Sequence, residues 1–174
     1  MDLRLSDNER LILSNQYEIL AALNPSEKDD NLRLAKQLRD GHEWLYRQSF
    51  QNLSPLFSDE ETDFVHEILQ LYSTLKHSYE LLHDKEGIEA GRMNFPGFDG
   101  NDSREADMRR FAQALKEDGR YEFTLSASPT DLNSHSRAIP GYRRMIAAWR
   151  AVGAPSNRLT RQQMSAIIEA KYAE

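Results

Sequence analysis

The chain has 174 residues, 39% hydrophobic and 29% charged, with a net charge of −6 and no cysteine. That length is enough for one domain with its own core. The lack of cysteine excludes disulfides, thiolate metal sites and a cysteine nucleophile. The start MDLRLSDNER has no apolar stretch of the kind a secretory signal carries, and no later run approaches the ~18–20 apolar residues of a membrane span. The expectation is therefore a cytoplasmic protein, not bound to a membrane, forming a single helical domain over residues 1–174.

The charge is unevenly placed. Residues 1–131 carry 15 basic and 26 acidic side chains, whereas residues 132–168 carry six arginines and no acid. This basic segment is read first as a contact with the acidic surface of the same or another copy, then as an anion site, and last as a nucleic-acid contact.

Ser6-Asp7-Asn8-Glu9 spells a capping box, in which serine and glutamate each satisfy the other's backbone N–H. It predicts a first helix running to about Asn24. Within it Ile12, Leu13, Tyr17, Ile19, Leu20 and Leu23 recur at helical spacing and are read as core. A second helix carries Leu34, Ala35 and Leu38 and ends at Gly41, a residue suited to the left-handed position after a helix. A short third helix over residues 42–50 is anchored by Trp44, Leu45, Tyr46 and Phe50.

The strongest signal follows Ser58, where a second capping box precedes Val65, Ile68, Tyr72, Leu75, Tyr79 and Leu82 at alternating spacings of three and four. This is the expected central helix. Gly87, Gly91, Pro96, Gly97 and Gly100 predict an irregular connection. A further helix capped near Asp102 turns Met108, Phe111, Ala112 and Leu115 inward and closes at Gly119. Tyr121, Phe123 and Leu125 alternate as a short extended segment would. Pro140 opens a helix through Tyr142, Met145, Ile146 and Trp149. Thr160 and Gln163 cap the last helix, with Leu159 and Met164 as a hydrophobic staple. The fold class is thus all-α: an irregular single-domain bundle around a long central helix, with one short extended segment.

These segments resemble the YfbU family of bacterial proteins. The resemblance is carried by Arg10 to Tyr17 (RLILSNQY), Gly97-Phe98-Asp99, Gly119-Arg120-Tyr121, Tyr142, Arg144-Met145, Trp149 and the closing helix from Leu159 to Ile168. It implies an all-helical protein. Because some members join this domain to a DNA-binding module, it also implies ligand sensing or partner binding rather than catalysis. It supplies no catalytic residues to carry over.

The residues alone offer few chemical sites. No phosphate-binding loop, dinucleotide glycine pattern, zinc-protease motif or nucleophile elbow occurs. His66 and His77 lie eleven residues apart, roughly 16 Å along a helix, too far to share a metal. Asp63-x-x-His66 and Glu80-x-x-His83 lie on one helix, whereas a di-iron bundle needs its Glu-x-x-His motifs on two. Neither metal nor cofactor is expected. The helix pair flanking residues 153–160 is joined by too long a connection for a helix-turn-helix.

Candidate ligand or partner contacts remain. The Gly97-Phe98-Asp99-Gly100 loop is read first as a turn, and second as the exposed rim of a pocket formed by Phe95, Phe98 and Asp99. Arg143, Arg144 and Arg150 are placed for bidentate contacts with carboxylates of the acidic helices, and Arg143 and Arg144 also for an anionic ligand or partner. The expected function is a non-enzymatic ligand-sensing or protein-interaction module working as a homo-oligomer. The alternatives are an enzyme acting on an anionic substrate through Arg120 or Arg137 with His135 as acid or base, and, least favoured, a nucleic-acid-binding protein.

Overall fold

The computed structural model describes residues 4–173, and among them every regular element is helical. The helices are α1 (Asp7–Leu23), α2 (Lys28–Arg39), α3 (Glu43–Ser49), α4 (Asp59–Leu81), α5 (Ser103–Glu117), α6 (Glu122–Leu125), α7 (Ile139–Ala151) and α8 (Arg161–Ala170). The all-α class and the three capping boxes, at Ser6, Ser58 and Thr160, are as the sequence indicates. The chain divides into two compact units, the first ending at Leu56 and the second beginning at Phe57.

In the first unit α1 and α2 run antiparallel, joined by a 3-10 turn over Pro25–Glu27. Small residues let them approach: Ser14, Ala21 and Ala35 are buried between them. The Ser14 hydroxyl donates to the Ala35 carbonyl at 3.1 Å and accepts from Arg39 Nε at 2.7 Å, while Arg10 reaches the Leu38 carbonyl at 3.0 Å. The expectation that the apolar band of α1 is core fails here. Ile12, Ile19, Leu20 and Leu23 are exposed, as are Trp44 and Leu45 of α3, leaving Tyr46 as the buried anchor of that helix. Periodicity identifies an apolar face but not whether the same chain covers it.

The second unit is organised by α4, where Val65, Ile68, Leu69, Leu71, Tyr72 and Leu75 are all buried. Its two buried small polar residues fasten the segment before α8. Thr74 Oγ1 donates to the Gln70 carbonyl at 2.9 Å and the Ser156 carbonyl at 3.3 Å, and the Ser78 hydroxyl accepts the Leu159 N–H at 2.9 Å. Tyr72, Phe95, Phe98 and Tyr142 pack with ring centroids 5.4–6.0 Å apart, mostly edge to face, the arrangement favoured by the ring quadrupole. The Tyr142 hydroxyl donates to the Gly97 carbonyl at 2.5 Å.

Residues 121–125 are not extended. Gly119 and Tyr121 both adopt positive φ, 72° and 54°, which turns the chain back after α5. The Leu125 and Ser126 N–H groups then bond the carbonyls of Tyr121 and Glu122, both at 2.8 Å, as one turn of helix. With no strand alongside among the described residues, a helical turn is the local way to satisfy those donors.

Candidate functional site

In the second unit α4, α5 and α7 enclose a cleft of about 250 Å³. Helix α4 contributes Glu60, Asp63, Phe64 and Glu67, at spacings that place all four on one face. Arg104 and Met108 of α5 stand one turn apart, and Ile139, Arg143 and Arg150 come from α7. Acids from one helix therefore face arginines from two others, over an apolar surface of Phe64, Met108 and Ile139.

Most of these charges are matched. Arg150 grips Glu67 with both ends of its fork, at 2.6 and 2.7 Å. Arg104 lies 3.2 Å from Glu61 and 4.0 Å from Glu60. The Glu61 carboxyl is held below its ordinary range by the Ser58 hydroxyl and, to a lesser degree, by Arg104. Arg143 and Asp63 are different: neither makes a hydrogen bond or ion pair with the described residues, and both are exposed.

The cleft wall made by α7 is held from behind by a residue that composition hides. Glu105 is 2% exposed and has no cationic partner among the described residues. Its carboxylate accepts the Asp99 N–H at 2.8 Å, the Ala138 N–H at 3.0 Å and the Ile139 N–H at 3.1 Å. Ala138 precedes α7 and offers no side-chain cap. Glu105 therefore acts as a cap supplied from another helix, a carboxylate on the positive end of the α7 dipole. Its α7 partners place Ile139 in the cleft, with Arg143 one turn on.

Of the residues singled out by sequence, the structure brings Arg143 and Arg150 to this cleft, Arg150 in the bidentate carboxylate contact expected of it. Arg144 turns away, donating to the Ala170 and Lys171 carbonyls at 3.0 and 2.7 Å and so closing the C-terminus of α8. Arg120 bonds its near neighbour Asp118 at 2.9 Å, and Arg137 lies 3.6 Å from Asp102. His135 is exposed on a left-handed turn, φ 55°, with its N–H on Asn133 Oδ1 at 3.0 Å. None of these three lines the cleft.

Phe95 and Phe98 are not an exposed rim, since both are wholly buried in the aromatic cluster. Asp99 is buried as well, and its carboxylate accepts from the Asn101 N–H at 3.0 Å and the Asn101 side chain at 3.2 Å, forming a local turn. Two mutual bonds hold this loop to residues 132–134: Phe98 N–H to the Leu132 carbonyl and Ser134 N–H to the Phe98 carbonyl, both 3.0 Å. Gly97, at φ 95°, passes so close that a Cβ would overlap the Leu132 carbonyl.

Sequence reasoning missed the acids of α4. Glu60 reads only as part of a helix start, Asp63 only as a rejected metal motif, and Glu67 carries no reading, although their spacing of three and four is the available signal.

Compared with known proteins, residues 3–170 match the model of the YfbU domain. The UPF0304 protein MJECS11 of Methanocaldococcus jannaschii is 33% identical over 172 residues, covering 95% of this chain and 99% of that protein. The UPF0304 protein MS2240 of Mannheimia succiniciproducens is 29% identical over 150 residues, covering 86% of this chain and 89% of that protein.

Proposed function

The chain belongs to the YfbU family, and from that premise we propose that it is a non-enzymatic binding module whose cleft takes a small zwitterion of amino-acid size. One observation carries the reading. In a cleft whose other charges are paired, Arg143 and Asp63 are left without a partner among the described residues. A guanidinium is matched to a carboxylate through two parallel hydrogen bonds, and Asp63 offers the complementary acceptor for an ammonium. Phe64, Met108 and Ile139 supply apolar contact for the ligand's body. A volume of about 250 Å³ lies just below the usual range for drug-sized ligands, as a smaller molecule requires.

The wider reading is ligand sensing in the cytoplasm by a homo-oligomer. The sensing part is supported by the cleft's lining, which comes from three separate helices that a bound ligand would bridge. No helix among the described residues is long and apolar enough to cross a membrane.

Thermal unfolding in the presence of each standard amino acid at millimolar concentration tests the proposal. One or a few are expected to raise the midpoint, because a ligand bound only to the folded state stabilises it by mass action. Capping either the amine or the carboxylate of an active compound removes the effect, as does Arg143→Ala but not Arg120→Ala. If no amino acid shifts the midpoint, the proposal is rejected.

A further inference from the structure

Helix α1 buries a side of small residues and turns an apolar stripe outward. At ~100° per residue, Ser14 and Ala21 fall on the side that meets α2, and both are buried. Ile12, Ile19 and Leu23 fall on the other side and are 63%, 60% and 74% exposed. A surface helix ordinarily turns its apolar stripe toward the core, whereas this stripe faces outward. Leu11 and Leu20 flank the stripe and are also exposed. At roughly 100 Å² apiece, the five residues present on the order of 500 Å² of apolar surface, a size at which a patch marks a contact site. With the polar residues between them, the face approaches the ~800 Å² that each partner buries in a standard interface.

The chemistry of the face selects its occupant. Between Ile12 and Ile19 the exposed positions on this side are Asn15 and Gln16, both uncharged amides. Asn15 accepts from Arg39 at 2.9 Å, and the charge of Arg39 is balanced by Glu18 at 3.0 Å. Charge is depleted at the centre of protein interfaces. A two-fold axis sets each residue near it against the same surface of another copy. An amide both donates and accepts and so pairs with its own kind, which an ionised group does not. An axis passing between Asn15 and Gln16 brings Ile12 against Ile19 of an antiparallel second copy.

We propose that the outward face of α1 pairs two copies of this chain as an antiparallel two-fold dimer. This rests on the homo-oligomeric part of the function proposed above.

The test is the mass of the full chain by sedimentation equilibrium, with the Ile12→Glu and Ile19→Glu variants alongside. The expected result is a dimer of the 20.1 kDa chain. In each variant dissociation rises by on the order of a hundredfold or more, because an unpaired carboxylate is buried in the contact. Far-UV circular dichroism should be unchanged, since both positions are exposed in the monomer. An independent arm needs no disruption. The chain has no cysteine, so Gln16→Cys should cross-link into a dimer under mild oxidation while Arg33→Cys does not. A wild-type monomer overturns both the interface and the oligomeric reading. A wild-type dimer that withstands both glutamate variants and gives no Gln16→Cys cross-link overturns the interface alone.

Discussion

Replacing Glu105 with alanine removes the carboxylate that receives the N–H groups of Asp99, Ala138 and Ile139. The site lies under the 97–101 loop and the start of α7, so those three donors lose their acceptor with little access to water. Each buried donor left unpaired costs about 1–3 kcal/mol, and α7 also loses a charge on its dipole, worth roughly another 0.3–1 kcal/mol. Partial relaxation of the loop lowers the sum, and the expected loss is roughly 4 kcal/mol. That is a large part of the ~5–15 kcal/mol that holds a typical domain together. Glu105→Gln keeps one acceptor oxygen but turns an amide N–H₂ toward backbone donors, and should cost roughly half as much. Urea unfolding followed by circular dichroism reads both changes, as a lower midpoint with an unaltered slope. If Glu105→Ala loses less than about 1 kcal/mol, Glu105 is not the cap of α7, and the account of how Ile139 and Arg143 are placed is wrong.

Three other perturbations are decided by the same geometry. Gly97→Ala needs a positive φ and overlaps the Leu132 carbonyl, so it should cost about 3 kcal/mol or more, or prevent folding, as read by yield and urea midpoint. Burial pushes the Lys171 ammonium below its usual pKa, and it has Tyr72 at 3.4 Å and two aromatic rings as neighbours. Lys171→Met removes that desolvation while keeping a long apolar stem, and should leave thermal stability unchanged or raise it by up to about 1 kcal/mol. The folded-state pKa of Glu61 lies below its ordinary 4.5. Its contribution to stability is therefore fully present above that value and is lost as pH falls through the lower folded one. Ser58→Ala should cost about 1 kcal/mol near neutral pH, and less at about pH 3, when urea midpoints of wild type and variant are compared.

Local rules made much of the helical scaffold legible. Ser6, Ser58 and Thr160 each sit where a capping box belongs, and the helices they start follow. The α4 stripe is buried as its spacing implies, because a wide apolar band on a long helix has few alternatives to the core. Two kinds of statement did not follow. Alternation over Tyr121, Phe123 and Leu125 suggested an extended segment, yet strand formation depends on a neighbour that local sequence cannot supply. The α1 band was assigned to the core although much of it faces outward, because period describes a face and not what covers it.

The site was less legible than the fold. Arg143 was singled out for its place in a basic segment, and it does line the cleft. The residues that line the cleft with it come from segments about 40 and 80 residues away, brought there only by tertiary packing. Glu105 gave no sign, since an acid in the first turn of a helix is ordinarily explained by that helix's own dipole. Phe95 and Phe98 misled for the opposite reason: a glycine-rich loop suggests exposure, whereas here the glycines let a loop pass under another and bury its aromatic rings.

The most direct test of the central claim is an NMR titration that follows the arginine Nε–Hε signals while each standard amino acid is added in turn. At least one compound is expected to move the Arg143 signal saturably and leave those of Arg120 and Arg137 in place. A saturable shift at Arg120 or Arg137 with Arg143 unmoved, or no saturable shift at any arginine, contradicts that claim.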